Sequence, residues 1–181
     1  MNIKKITIIS CFVIFLLSSL SHFVYDWFSN FFTSIFFPVN ESIWEHTKMI
    51  FTTMVVWGII EYFIISNHGK KNFSSALLIS TIVTIIFLIV TFTPIYYIMD
   101  KKENMVITLI IYFISIVVGQ IVSYFILKKE KKFKVPNTIS LICIPIIFII
   151  YGLLTYYPIK TGLFYDYTKS QYGIISNKNQ K

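Results

Sequence analysis

The sequence predicts an all-α fold, a polytopic membrane helix bundle with five transmembrane helices and a short interfacial helix between the first two. Three observations predict it. Hydrophobic residues make up 56% of the 181 and charged residues 13%, too little polar surface for a soluble domain of this length. Apolar stretches near the roughly twenty residues that cross a bilayer recur along the chain. Between them lie short connections, "NHGKKN" at 67–72, "DKKEN" at 100–104 and "KKEKKFKVPN" at 128–137, rich in the charges and breakers that lipid excludes. No segment is long or polar enough for a separate soluble domain, so residues 1–181 read as one membrane domain.

The first span is expected over 6–24. Its Lys-bearing start, apolar stretch and "SSLS" also match a cleavable signal peptide over 1–21, but "HFVYDW" continues the helix without a break. Residues 27–38, "WFSNFFTSIFFP", place Phe28, Phe31, Phe32, Ile35 and Phe36 on one helical face and Ser29, Asn30, Thr33 and Ser34 opposite. That stretch is too short to cross, so it is expected to lie in the outer interface and roof what the neighbouring helix ends hold. The second span covers 42–65 and opens with a capping box, Ser42 to Glu45. The third covers 73–99, kinked at Pro94 with Thr91 and Thr93 near the freed carbonyls. The fourth and fifth cover 105–127 and 139–157, and an extracytoplasmic tail follows over 158–181.

The net charge of +8 does not indicate nucleic-acid binding. All 16 basic residues are lysines, with no arginine for bidentate contacts to guanine or phosphate. They cluster between apolar runs, and the bias places the chain in the cell membrane as a multi-pass protein, N-terminus cytoplasmic and C-terminus outside. Lys48 and four tail lysines fall outside in this scheme. The bilayer is therefore the first partner. Cys11 and Cys143 sit inside apolar runs and read as small buried residues.

The chain's few polar groups cluster at the predicted outer ends. Ser18, His22 and Asp26 follow at i, i+4 and i+8, a nucleophile–base–orienter composition, although serines in membrane helices usually bond their own backbone. Asp26 one turn from His22 would fix the imidazole's tautomer. From Glu41, a turn of about 100° per residue puts Glu41, Glu45 and Lys48 on one stripe, with Glu45 and Lys48 paired at i, i+3. Both glutamates suit a helix start, whereas His46 lies off the stripe. His22, Asp26 and His46 are thus the candidate ligands for a divalent metal such as zinc, with Glu41 the alternative carboxylate to Asp26. "HExxH", CxxC pairs and Gly-rich phosphate loops are absent. Deeper in the membrane, Glu61 needs a partner, and Gln120, Lys70 and Lys71 are the candidates.

"SHFVYDWF" followed by "FFPVNESIWEHTK", with a closing "GLFYDYTKSQYGI", resembles an uncharacterised bacterial family of integral membrane proteins, DUF6512-like, over nearly the whole chain. The resemblance implies a small multi-span protein and brings no activity. It puts His22, Tyr25, Asp26, Asn40, Glu41, Trp44, Glu45, His46 and Asp166 on motif positions. Tyr25, Asn40, Glu41, Trp44 and Asp166 are accordingly binding candidates, and His22, Asp26, Glu45 and His46 catalytic candidates.

Two functional readings stand. One is a small-molecule or lipid binding or transport component, or an accessory subunit, motivated by the lack of a catalytic signature. The other is a membrane-embedded, metal-dependent hydrolase of a lipid or lipid-linked substrate, motivated by the His22, Asp26, Glu41, Glu45 and His46 cluster. The loose analogy to ceramidase-like hydrolases needs a third histidine, and His68 is expected on the opposite face.

Overall fold

The structure, a computed structural model, describes residues 1–102 and 104–174. Glu103 of the third connection and the tail lysines Lys178 and Lys181 lie outside the described residues. Five helices are long and apolar enough to cross a membrane, as the sequence predicts. These are α1 (Ile3–Ser21), α4 (Ile43–Ile64), α6 (Phe73–Ile98), α7 (Met105–Leu127) and α8 (Asn137–Tyr156). Short helices α2 (Val24–Trp27), α3 (Phe31–Phe36) and α5 (Asn67–Lys70) lie between them, and strands β1 (Tyr165–Asp166) and β2 (Gln171–Tyr172) close the described chain.

Side-chain caps set the helix starts. Asn2, Ser42 and Asn104 each accept from a backbone N–H in the first turn of α1, α4 and α7, supplying groups that the helix cannot. Helix α1 stops earlier than the apolar pattern suggests. The Ser21 hydroxyl donates to the Ser18 carbonyl and the Phe23 N–H to Leu20, which tightens the last turn before α2 resumes. Pro94 lies inside α6, and the Thr91 hydroxyl bonds the Phe87 carbonyl there.

Helices α6 and α7 pack most closely. A Cβ on Gly119 would come within 1.8 Å of Thr84 Oγ1 and 2.8 Å of the Ser80 carbonyl, so only glycine permits this approach. Helix α1 lies against α4 and α7, and α4, the most enclosed of the long helices, also lies against α6. Ile6, Ile50 and Ile116 meet fully buried in that core, whereas Leu16, Phe63, Ile98, Phe125 and Ile149 are exposed on the outer surface. An apolar exterior of this kind is what a membrane protein presents to lipid. Helix α8 is held at the side by α6 and α3.

Helix α3 is shorter than the amphipathic stretch over 27–38 predicts. Asn30 and Thr33 cap it reciprocally, Phe31 and Phe32 are exposed, and polar Ser34 is buried. It docks on α8, with Phe36 edge-on to Phe148 and the Ser34 hydroxyl 2.8 Å from Tyr156 Oη.

Beyond α8 the chain folds back as a two-stranded antiparallel hairpin, Tyr165 opposite Tyr172 and Asp166 opposite Gln171. The hairpin and the residues flanking it bond to the segment preceding α4 and to its first turn. At the other end of the bundle the lysine-rich connection is tied down by Asn72, whose amide donates to the Lys129 and Lys131 carbonyls and accepts from Phe133 N–H.

Candidate functional site

The segment 38–46, "PVNESIWEH", is anchored from two sides. The Asn40 amide donates to the Gly173 carbonyl and accepts from Ser42 N–H, and the Trp44 N–H donates to the Leu163 carbonyl. The Trp44 ring lies between Phe164 at 4.7 Å and Tyr151 at 4.8 Å between centroids. Asp166, fully buried, accepts from the backbone N–H of Glu41, Thr168 and Lys169. The tail thereby fixes the backbone at Glu41 from 125 residues away in sequence.

Held this way, Glu41 points at both histidines. Because α4 starts only at Ile43, the helical wheel does not apply to Glu41, and it leaves the stripe the sequence puts it on. His22 Nε2 donates to Glu41 Oε2 at 3.2 Å, and His46 Nε2 stands 3.7 Å from the same oxygen. The two imidazoles are 5.4 Å apart between centroids. His46 Nδ1 donates to the Ser42 carbonyl at 3.0 Å, which orients the ring and leaves Nε2 facing the cluster. The His22 hydrogen bond holds the Glu41 carboxyl below its ordinary range; partial burial opposes this and the nearby His46 adds to it.

One ligand atom from each of His22, Glu41 and His46 lies within 4.8 Å of the others. The three line a cleft of about 520 Å³ whose walls include Phe15, Met49, Met105 and Tyr112. The site is therefore two imidazoles and a carboxylate at the polar edge of an apolar groove.

Glu45 lies outside the cleft lining and is bonded through both carboxylate oxygens. Its carboxylate accepts from Lys48 Nζ at 2.5 Å, Thr155 Oγ1 at 2.8 Å and Val39 N–H at 3.2 Å. Lys48, fully buried, also donates to the Ser34 carbonyl and to Thr155 Oγ1. The Glu45–Lys48 pair is present, but as the centre of a buried network instead of an exposed stripe. The aromatic loop covers this network: Lys48 and Thr52 take the Ser34 and Phe36 carbonyls, and the loop contributes nothing to the histidine cleft.

The remaining candidates separate. Asp26 is exposed on α2, outside the histidine cluster, because the break after Ser21 destroys the i, i+4 relation to His22. Ser18 bonds Thr53 on α4 across the α1–α4 contact and is fully buried, so the Ser–His–Asp row does not assemble. Tyr25 is half-buried, within electrostatic reach of Tyr156, Asp26 and Glu45. His68 sits at the opposite end, its Nε2 3.4 Å from the Lys128 carbonyl. Glu61 and Gln120 share a small cavity, whereas Lys70 lies over the Tyr62 ring and Lys71 donates to the Glu130 carbonyl. Cys11 and Cys143 are free and partly buried.

Sequence reasoning misses Thr155, which completes the Glu45 network from α8, Tyr151 of the same helix, which pairs with Thr47, and the methionine wall of the cleft. Their positions depend on which helices become neighbours, and no local spacing encodes that.

The chain belongs to DUF6512, a family of unknown function, matched over residues 1–174. No curated protein and no solved structure matches it.

Proposed function

We propose that this multi-pass membrane protein binds a divalent cation of the zinc type through His22, Glu41 and His46 and presents it to an apolar or amphipathic small molecule in the adjoining cleft. The observation that carries this reading is the convergence of three ligand atoms within 4.8 Å at the cleft wall. Zinc bound tetrahedrally at about 2.0–2.1 Å spaces its N and O ligand atoms roughly 3.3 Å apart. The 3.2 and 3.7 Å separations to Glu41 Oε2 fit that spacing with small side-chain adjustments. The carbonyl-bound Nδ1 of His46 is the usual support for a metal-bound imidazole. Binding displaces the His22 Nε2 proton, so uptake of the metal releases acid.

With the N-terminus cytoplasmic, as the lysine bias favours, the site opens on the outer face of the cell membrane. A lipid or lipid-like ligand would then enter from the bilayer, its apolar part against Phe15, Met49 and Met105 and its polar part toward the cation.

A second reading is favoured by one observation: three protein ligands leave a coordination position free beside the cleft. A cation there supplies a polarised water or carbonyl, the chemistry of a metal-dependent hydrolase of a lipid or lipid-linked substrate.

The test is calorimetric titration of the purified, chelator-stripped full chain with zinc, alongside elemental analysis. One equivalent is expected for wild type and none for His22→Ala or His46→Ala, with unchanged melting in the metal-free state. Wild type without bound metal, or variants that bind equally, sinks the proposal. Turnover of a fluorogenic lipid ester by wild type and not by His46→Ala would select the hydrolase.

A further inference from the structure

Glu61 is an ionisable group that the cleft does not use. It lies one turn before the end of α4 and is 5% exposed. Its Oε1 is buried with no hydrogen-bond partner, and the same holds for Oε1 of Gln120 on α7. Both side chains line a cavity of about 10 Å³ among α1, α4, α6 and α7, with Ser80, Ser123 and Trp57 on its walls. That volume is on the scale of one water-sized particle.

The Ser10 hydroxyl reaches the Glu61 carboxyl, but Oε1 of Glu61 and Oε1 of Gln120 remain unpartnered. Trp57 Nε1 donates to Ser10 Oγ at 2.7 Å, and the Ser80 hydroxyl donates to the Leu77 carbonyl. Lys70 and Lys71 are engaged at the Tyr62 ring and the Glu130 carbonyl. From α1, Cys11 is the titratable side chain within electrostatic reach of Glu61. Helices α6 and α7 face it with Phe73, Leu77, Ser80, Gln120 and Ser123, none of them ionisable. Two unpartnered acceptor oxygens thus border one low-dielectric space, and none of the described residues lining it is cationic. An acid in that setting persists only when its charge is neutralised. One carboxylate calls for one positive charge; a divalent ion would leave net charge buried.

We propose that the Glu61–Gln120 cavity is an intramembrane exchange site for one small monovalent cation, a proton or a sodium ion, held between the Glu61 carboxyl and the Gln120 amide oxygen. The site is independent of the histidine cleft, so its failure would leave the metal reading untouched.

Infrared difference spectroscopy of the full chain in lipid nanodiscs tests it. The carbonyl stretch of one protonated carboxylic acid per chain, lost in Glu61→Gln, should vanish as pH rises in sodium-free buffer if the ligand is a proton. It should vanish at fixed pH when sodium replaces a bulky organic cation if the ligand is sodium. Either titration supports the site. A signal constant through both titrations means a permanently neutral structural acid, and one absent throughout means an ionised acid without exchange; both overturn it. Gln120→Leu keeps Glu61 and should shift the midpoint of whichever titration is seen. An unmoved midpoint overturns the shared site.

Discussion

Glu41 and Glu45 flank one helix start, four residues apart, and end in opposite circumstances. Glu45 is 2% exposed and saturated by Lys48, Thr155 and Val39. Glu41 stays more than a quarter exposed, shares one oxygen between two imidazoles, and borders a cleft of about 520 Å³. With both oxygens bonded inside a buried network, Glu45 has little capacity to spare for a ligand. Unsaturated convergence beside free volume is the reason Glu41, and not Glu45, enters the proposed metal site.

The largest effect should come from breaking the saturated side. Lys48→Met leaves Glu45 buried and unpaired and should cost about 3–5 kcal/mol, read as thermal stability in detergent. Adding Glu45→Leu should recover most of that loss, since two apolar side chains need no partner; no recovery would mean the network does more than satisfy itself. Next, Asp166→Ala removes the acceptor for three backbone N–H groups and should cost about 2 kcal/mol while weakening metal binding, because Glu41 loses its anchor. On the unsaturated side, Glu41→Gln should abolish metal binding and cost at most about 1 kcal/mol near neutral pH. The Glu41 carboxyl is held below its ordinary value, so its contribution is present above that value and fades as pH falls through the depressed one. Melting curves of Glu41→Gln should therefore show a flatter acid limb than wild type. The smallest change is expected from exposed Asp26→Asn, within about 0.5 kcal/mol and without effect on metal content. Loss of metal in that variant would return Asp26 to the site.

Much of this fold is legible in the chain because a bilayer leaves few choices. Apolar length sets the five long helices, and Asn2, Ser42 and Asn104 mark three of their starts. His22 and His46 are recognisable as residues that capping does not explain. Which carboxylate joins them is less legible: the sequence offers Asp26 or Glu41, and helical spacing ties Asp26 to His22 and Glu41 to Glu45. Yet α1 ends at Ser21 and α4 begins two residues past Glu41, and it is Glu41 that meets the imidazoles. The aromatic loop has the right period and the wrong destination, since period fixes which side chains share a face and not which neighbour that face meets. Contacts from α8 and the tail lie more than a hundred residues away, and no local pattern carries them.

The tail hairpin has a consequence for biosynthesis. Glu41 N–H bonds an aspartate 125 residues later, and Asn40 bonds a carbonyl 133 residues later. All five long helices must be made and inserted before those contacts exist, so the histidine cleft takes its final shape at the end of assembly. Contacts of such separation form slowly. Until they form, a nascent chain holds His22, Glu41 and His46 without the latch that aligns them, and it cannot present a finished ligand set while still in the hands of the insertion machinery.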